Sequence, residues 1–149
     1  MTSSTADRRE IDVLLAKYSE SHLNPANEII HFVCVPVIVF SLLGILWWIH
    51  PGVAVGVSIG ALVYYFKLSP AFAVGMLVMS ALMLMLLGMM PQQAVLPLSG
   101  AIFVLAWIGQ FIGHKIEGKK PSFLDDLRFL LIGPLFVLSF LYRRLKLGW

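Results

Sequence analysis

The sequence predicts an all-α integral membrane protein with four transmembrane helices, an amphipathic helix before them and a re-entrant or interfacial helix after them. The 149 residues are 59% hydrophobic and only 13% charged, whereas soluble domains have about 25% charged residues. The apolar residues form runs long enough to cross a bilayer, which takes about 20 residues in a helix. The charged residues lie almost entirely outside these runs. We therefore expect one membrane domain over residues 1–149.

Residues 5–21 have the pattern of the amphipathic helix. Ile11, Leu14, Leu15 and Tyr18 recur at helical spacing, opposite a charged face. Such a helix lies along a membrane surface or folds onto the ends of the transmembrane helices, and both arrangements give the same pattern. The sequence leaves the two open.

Four apolar runs are predicted to span the membrane. They cover residues 29–49, 53–67, 71–90 and 94–112. Asn24 followed by Pro25 marks the start of the first helix, because Asn caps a helix and Pro is tolerated at its first position. In the second run Gly56 and Gly60 lie four residues apart, a spacing that predicts a face for close helix packing.

The C-terminal part of the chain is predicted to be a cytoplasmic loop, residues 113–128, followed by a shorter apolar run, residues 129–142. At about 1.5 Å per residue this run covers roughly 21 Å, which is less than the roughly 30 Å of a hydrocarbon core. Gly133-Pro134 in its middle is a place where the chain could turn back. These features predict a re-entrant or interfacial segment.

The basic residues support four spans. All 11 Lys and Arg residues of the chain then fall on one side of the membrane. Since basic loops are retained in the cytoplasm, both termini are predicted to be cytoplasmic. We expect the inner membrane in a bacterium and the endoplasmic reticulum in a eukaryote.

Three of the 4 histidines lie on that basic side. They are His22, His31 and His114, whereas His50 lies alone at the opposite side, in a turn before Pro51. His50 is interpreted as an exposed loop residue.

Two polar stripes enter the apolar helices at this side. Asn27 and His31 share one helix face, and Gln110, His114 and Glu117 share another. Buried polar groups in a membrane need a partner, a metal or water. The spacing is consistent with a hydrogen-bond network that bridges the first and fourth spans, and equally with a metal site.

The metal hypothesis rests on the ligand types. Imidazoles from His22, His31 and His114 with the carboxylate of Glu117 would form a mixed nitrogen and oxygen site, which suits Fe(II), Zn(II) or Mn(II). Four histidines in the whole chain favour one metal ion. A Ser or Cys nucleophile has little support, since neither Cys34 nor any serine has a neighbouring base and elbow motif.

The two motifs together resemble those of the membrane-bound 2-hydroxy fatty acid dioxygenases of fungal alpha-oxidation. The matching residues are Tyr18-x3-His22-x4-Asn27-x3-His31-x4-Pro36, Gln110-x2-Gly113-His114-x2-Glu117-x3-Pro121 and Gly133-Pro134-Leu135-Phe136. The resemblance covers nearly the whole chain and departs from the family pattern at Cys34, where a glycine is expected.

The resemblance implies a multi-span enzyme that uses Fe(II) and O2 to shorten a long-chain 2-hydroxy fatty acid by one carbon. It implies His22, His31 and His114 as iron ligands and leaves Glu117 open as a fourth. Asn27 and Gln110 are then expected to orient them.

The expected substrate fits this chemistry. A 2-hydroxy acid chelates iron through its carboxylate and hydroxyl and leaves a position for O2, while its acyl tail lies among Met- and Leu-rich spans of the membrane. Lys115 and Lys119 could attract the carboxylate. Membrane lipid is a further expected partner, a homo-oligomer stays open, and no aromatic-interleaved basic patch indicates nucleic-acid binding.

Two other functions remain open from sequence alone. A transporter or channel-like protein would use the same residues to line a polar passage, and it requires polar groups along the depth of a helix. A scaffold whose histidines only bond to their neighbours would bind no metal and would tolerate His31→Gln.

Overall fold

Within residues 9–149, the part of the chain that the computed structural model describes, the backbone forms six α-helices and no strand. The helices are α1 (Glu10–Ser19), α2 (Pro25–Ile49), α3 (Pro51–Leu68), α4 (Pro70–Met89), α5 (Gln92–Glu117) and α6 (Phe129–Arg144), with a short 3₁₀ turn at Ser122–Leu124. This confirms the all-α prediction.

Local sequence signals set the starts of the apolar helices. Proline stands at the first position of α2, α3 and α4, and the residue before it caps the helix with its side chain. These caps are Asn24, His50 and Ser69. Four helices, α2 to α5, are long and apolar enough to cross a membrane, as predicted. His50 is exposed, and its Nδ1 accepts a hydrogen bond from the Gly52 N–H at 2.9 Å.

Helix α5 extends further than its apolar run. Residues 113–117, predicted as part of a loop, are helical, and the helix ends at Gly118 with φ 76°. The loop prediction was wrong here because a left-handed glycine, and not the last apolar residue, terminates the helix. As a result Gln110, His114 and Glu117 all project from one rigid element.

Helix α1 confirms the core of the predicted amphipathic helix, whose residues 5–8 lie outside the described part of the chain. Its apolar face, including Ile11 and Tyr18, is buried in one hydrophobic cluster with Phe129, Ile132 and Leu135 of α6. The apolar face of α1 therefore packs against α6, and its position relative to a membrane surface stays a prediction.

Helix α6 is one continuous helix of 16 residues with Pro134 inside it. The chain does not turn back at Gly133-Pro134, so the re-entrant alternative was wrong at this point, and the interfacial alternative stays a prediction. The helix is deeply buried, with Ile132 and Leu135 at 0% exposure. Coverage by α1 and the apolar helices explains why so short an apolar segment persists as a helix: tertiary packing supplies most helical stability.

Close contact between α2 and α5 brings the two polar stripes together. A Cβ added at Gly109 would lie 2.7 Å from the Cys34 Sγ, and one at Gly113 would overlap the Asn27 side chain. Gly109 and Gly113 of α5 thus allow the polar N-terminal part of α2 to approach the C-terminal part of α5. Gly56 and Gly60, in contrast, have no atom within 4 Å of an added Cβ. The prediction that these two glycines form a helix-packing face of α3 was wrong within the described chain. The residues that α3 buries include Ala54 and Ser58 instead.

Candidate metal centre

Three buried histidines meet at the end of the bundle where α1, α2 and α5 converge. His22, His31 and His114 are 4%, 2% and 5% exposed, and one ring nitrogen from each lies within 4.8 Å of the other two. The ring centroids of His22 and His31 are 4.0 Å apart, and those of His31 and His114 are 4.8 Å apart. Residues separated by more than 80 positions in sequence thus form one compact cluster.

His22 is held in the segment between α1 and α2. Its Nδ1–H donates to the Tyr18 carbonyl at 2.7 Å, and its ring stacks on the Tyr18 ring with centroids 4.3 Å apart. Since a carbonyl only accepts, Nδ1 carries the proton and Nε2 keeps its lone pair. Burial lowers the pKa of His22 to about 4. The imidazole is therefore neutral at neutral pH, the form that binds a metal.

His31 is oriented in the same way by its own helix. Its Nδ1–H donates to the Asn27 backbone carbonyl at 3.0 Å, which leaves Nε2 free to accept or coordinate. Histidines that bind a metal through one ring nitrogen usually donate the N–H of the other to a carbonyl or carboxylate, as His31 does here.

Two buried ring nitrogens of the cluster have no hydrogen-bond partner among residues 9–149. They are Nε2 of His22 and Nδ1 of His114, both buried. A buried unpaired polar atom costs about 1–3 kcal/mol of folding stability. A hydrogen-bond network without a metal would therefore leave two destabilising nitrogens in the cluster. A bound transition metal would satisfy these nitrogens, and imidazole suits Fe, Zn and Cu. The residues present therefore fit a metal ion.

Glu117 does not belong to this three-histidine cluster. Its carboxylate accepts hydrogen bonds from the backbone N–H groups of Leu23 at 3.0 Å and Asn24 at 2.8 Å. These groups lie between His22 and the first turn of α2. Glu117 thus ties the segment that carries His22 to the end of α5.

Asn27 and Gln110, the two predicted orienting residues, behave differently. Asn27 is fully buried, and its Nδ2 donates to the Ser21 carbonyl at 3.0 Å and to Glu117 at 3.2 Å. Asn27 therefore bridges α2 and α5, and its backbone carbonyl also orients His31. The Gln110 side chain forms no hydrogen bond within residues 9–149 and instead lines a cavity beside His31 and His114.

The two lysines predicted to attract the substrate carboxylate lie away from that cavity. Lys119 Nζ donates to the Glu20 carbonyl at 2.9 Å, and Lys115 is exposed on α5. Lys119 lines a separate polar cavity of about 260 Å³, which shares Ser122 and Phe129 with the wall of the histidine cavity.

The cavity beside the histidines holds about 60 Å³ and includes one residue that the sequence analysis missed. Trp107 lines it, and its indole Nε1 is buried with no hydrogen-bond partner in the described part of the chain. Trp107, Gln110 and His114 are spaced three and four residues apart, so the helical period was a usable signal for this stripe.

The chain is similar to a family of known proteins. The family model described as "2-hydroxy-palmitic acid dioxygenase Mpo1-like" matches residues 9–145. The chain is 30% identical over 142 residues to the 2-hydroxy-palmitic acid dioxygenase MPO1 of Saccharomyces cerevisiae. The aligned region covers 91% of this chain and 80% of the yeast protein. No solved structure matches the chain significantly. The chain belongs to the Mpo1-like family.

Proposed function

We propose that this protein is an Fe(II)-dependent dioxygenase that shortens 2-hydroxy fatty acids by one carbon at the cytoplasmic face of a membrane. The observation that carries the proposal is the cluster of three buried histidines with ring nitrogens within 4.8 Å of one another. The named yeast relative acts on 2-hydroxy-palmitic acid, which supports both the reaction and the substrate class.

In this proposal His22, His31 and His114 hold the iron. An iron ion held by them would supply the redox chemistry for the use of O2 and would bind the carboxylate and hydroxyl of a 2-hydroxy acid. The carbonyls of Tyr18 and Asn27 fix the tautomers of His22 and His31, so that both rings present Nε2.

Other residues shape the surroundings of the reaction. The rings of Tyr18 and Phe136 lie within 5.3 Å of the His22 ring, centroid to centroid, and exclude water from that side. Gln110 and Trp107 offer polar groups in the adjoining cavity, where we expect the carboxylate end of the substrate. Lys115 and Lys119 retain a more distant role, in which their charge attracts the anionic substrate to this end of the bundle.

A transporter with a polar passage has less support. The larger cavity of the bundle contains two serines, Ser58 and Ser80. Their hydroxyls donate to the carbonyls of Ala54 and Met76 in their own helices, at 2.8 and 2.7 Å. The hydroxyls are thus occupied by the backbone, and the surface offered to a solute is apolar.

Turnover by the whole protein tests the proposed reaction. Protein purified in mild detergent is reconstituted with Fe(II) without oxygen and then given 2-hydroxypalmitate and O2, and the products are analysed by mass spectrometry. We expect an acid one carbon shorter. Its absence from iron-loaded protein would overturn the proposed activity.

Two histidine variants provide a matched comparison. His31→Ala removes one member of the cluster and is expected to abolish turnover. His50→Asn changes a histidine at the opposite end of α2, and Asn retains the acceptor that caps α3, so this variant should keep full activity. Equal activity of both variants would remove His31 from the site.

A further inference from the structure

A large apolar cavity lies within the helical bundle beyond the histidines. It holds about 570 Å³ and is lined by side chains from α2, α3, α4, α5 and α6 together with Leu127. This volume is in the range of pockets that enclose small ligands. Because its two serine hydroxyls bond to their own helices, its inner surface suits hydrocarbon.

This cavity adjoins the smaller one beside the histidines. Five residues line both. They are Ile38, Val39, Trp107, Leu130 and Pro134. One ligand can therefore have a polar end near His31 and His114 and an apolar remainder in the larger cavity.

The length of the path can be read along α2. Its lining residues run from His31 to Leu46, which at about 1.5 Å per residue is roughly 22 Å of helix. The path thus extends through most of a hydrocarbon core of roughly 30 Å. An elongated molecule fits this shape better than a compact one.

Among the described residues that line the larger cavity, Trp107 is the polar side chain that does not hydrogen-bond to the backbone of the bundle. Gln110 lines the smaller cavity, and Trp107, whose indole Nε1 is buried without a hydrogen-bond partner among residues 9–149, lines both. From the junction to Leu46 the lining residues are apolar apart from the two self-bonded serines and Tyr65, whose hydroxyl donates to the Leu131 carbonyl at 2.8 Å. This polarity matches a fatty acid oriented with its carboxylate toward the histidines.

We propose that the larger cavity binds the acyl chain of the 2-hydroxy fatty acid substrate, with the terminal methyl group directed toward Leu46, and that the residues at this deep end set the longest chain accepted. The proposal rests on the proposed function for the identity of the head group. Of the expected Met- and Leu-rich surroundings, the described cavity lining contains seven leucines and one methionine, Met76.

Added bulk at two depths tests the proposal. Leu46 lies four residues before His50 and Ala61 lies eleven residues after it, so Ala61 is further from the turn that joins α2 to α3. We expect Leu46→Trp to reduce kcat/KM for a 16-carbon 2-hydroxy acid by more than about tenfold while leaving a 10-carbon acid unaffected. Ala61→Phe should move the limit to still shorter chains. In the wild-type protein each methylene up to the limit should raise kcat/KM by about fourfold.

Two control variants add similar bulk outside the cavity on the same helices. Ile49→Trp and Val63→Phe alter side chains that are 60% and 53% exposed and do not line the cavity. Their chain-length profiles should match that of the wild-type protein. If cavity and control variants give parallel profiles, the acyl chain does not occupy this cavity, although the proposed reaction would stand.

Labelling of the wild-type protein tests the site without turnover and without a destabilising substitution. A 16-carbon 2-hydroxy acid with a diazirine at its last carbon is irradiated with the protein, and the labelled residues are mapped by mass spectrometry. We expect label at the deep end, near Leu46, and its loss with excess 2-hydroxypalmitate. Label confined to outward residues such as Leu77, or label that only phospholipid displaces, would overturn the proposal. Deep-end label without turnover would overturn the proposed reaction alone.

Discussion

The Asn27 side chain donates from Nδ2 to a carboxylate oxygen of Glu117 at 3.2 Å, and this bond joins the start of α2 to the end of α5. The same carboxylate accepts the N–H groups of Leu23 and Asn24. Asn27 also orients His31 through its backbone carbonyl, and Leu23 and Asn24 directly follow His22 in the chain. The relationship therefore links helix packing to the geometry of the candidate metal centre.

Glu117→Gln is expected to weaken this link without removing an iron ligand. The neutral amide loses charge-assisted acceptor capacity and places an NH2 group against N–H donors, at a cost of roughly 1–2 kcal/mol in the free energy of unfolding. Iron content should fall only in part, because the three histidines remain. The control Glu28→Gln changes a carboxylate in the first turn of the same α2. Complete loss of iron in Glu117→Gln alone would indicate that the carboxylate is itself a ligand.

Cys34 and Gly109 should be energetically coupled. An alanine Cβ at position 109 would lie 2.7 Å from the Cys34 Sγ, so Gly109→Ala is expected to destabilise the protein by about 1–3 kcal/mol. Cys34→Ala removes the sulfur and should recover part of this loss in the double variant. Thermal unfolding of the four proteins measures the coupling. Strictly additive effects would show that the two helices do not meet at this point.

The indole N–H of Trp107 is expected to contribute to substrate binding. Trp107→Phe keeps an aromatic ring at the junction of the two cavities but removes the donor, and should lower kcat/KM for 2-hydroxypalmitate by roughly tenfold. The control is Trp48→Phe. Trp48 lies at the end of α2 opposite the histidines and is 46% exposed. Equal kinetics for both variants would assign Trp107 to packing alone.

Metal binding should stabilise the folded protein. A ligand at 100 times its Kd adds about 2.7 kcal/mol, so Fe(II) is expected to raise Tm under anaerobic conditions and a chelator to reverse the effect. His114→Ala should abolish the shift, whereas His50→Asn should keep it. A shift of the same size in His114→Ala would place the metal elsewhere.

Much of the bundle could be predicted from local patterns. Apolar run lengths gave the four long helices, and the Asn24-Pro25 signal gave the start of α2. The end of α5 and the continuity of α6 could not be predicted from the lengths of the apolar runs. Gly118 extended α5 beyond its apolar residues, and packing against α1 kept α6 helical through Gly133-Pro134.

The candidate site could be predicted from the sequence to a similar extent. Helical spacing and the distribution of basic residues grouped His22, His31 and His114 at one end, and the structure brings them together. The role of Glu117 was not readable, because its partners are backbone N–H groups of Leu23 and Asn24, which any residue type would supply. The Trp107 junction likewise depends on how five helices enclose a cavity.

Iron analysis of the gently purified protein tests the central claim most directly. We expect roughly one iron per chain in the wild-type protein and in His50→Asn, since one cluster of three imidazoles is available. We expect almost none in His22→Ala, His31→Ala or His114→Ala that remains folded by circular dichroism. Iron that persists in all three folded variants, or wild-type protein that takes up no Fe(II) on anaerobic reconstitution, would contradict the account.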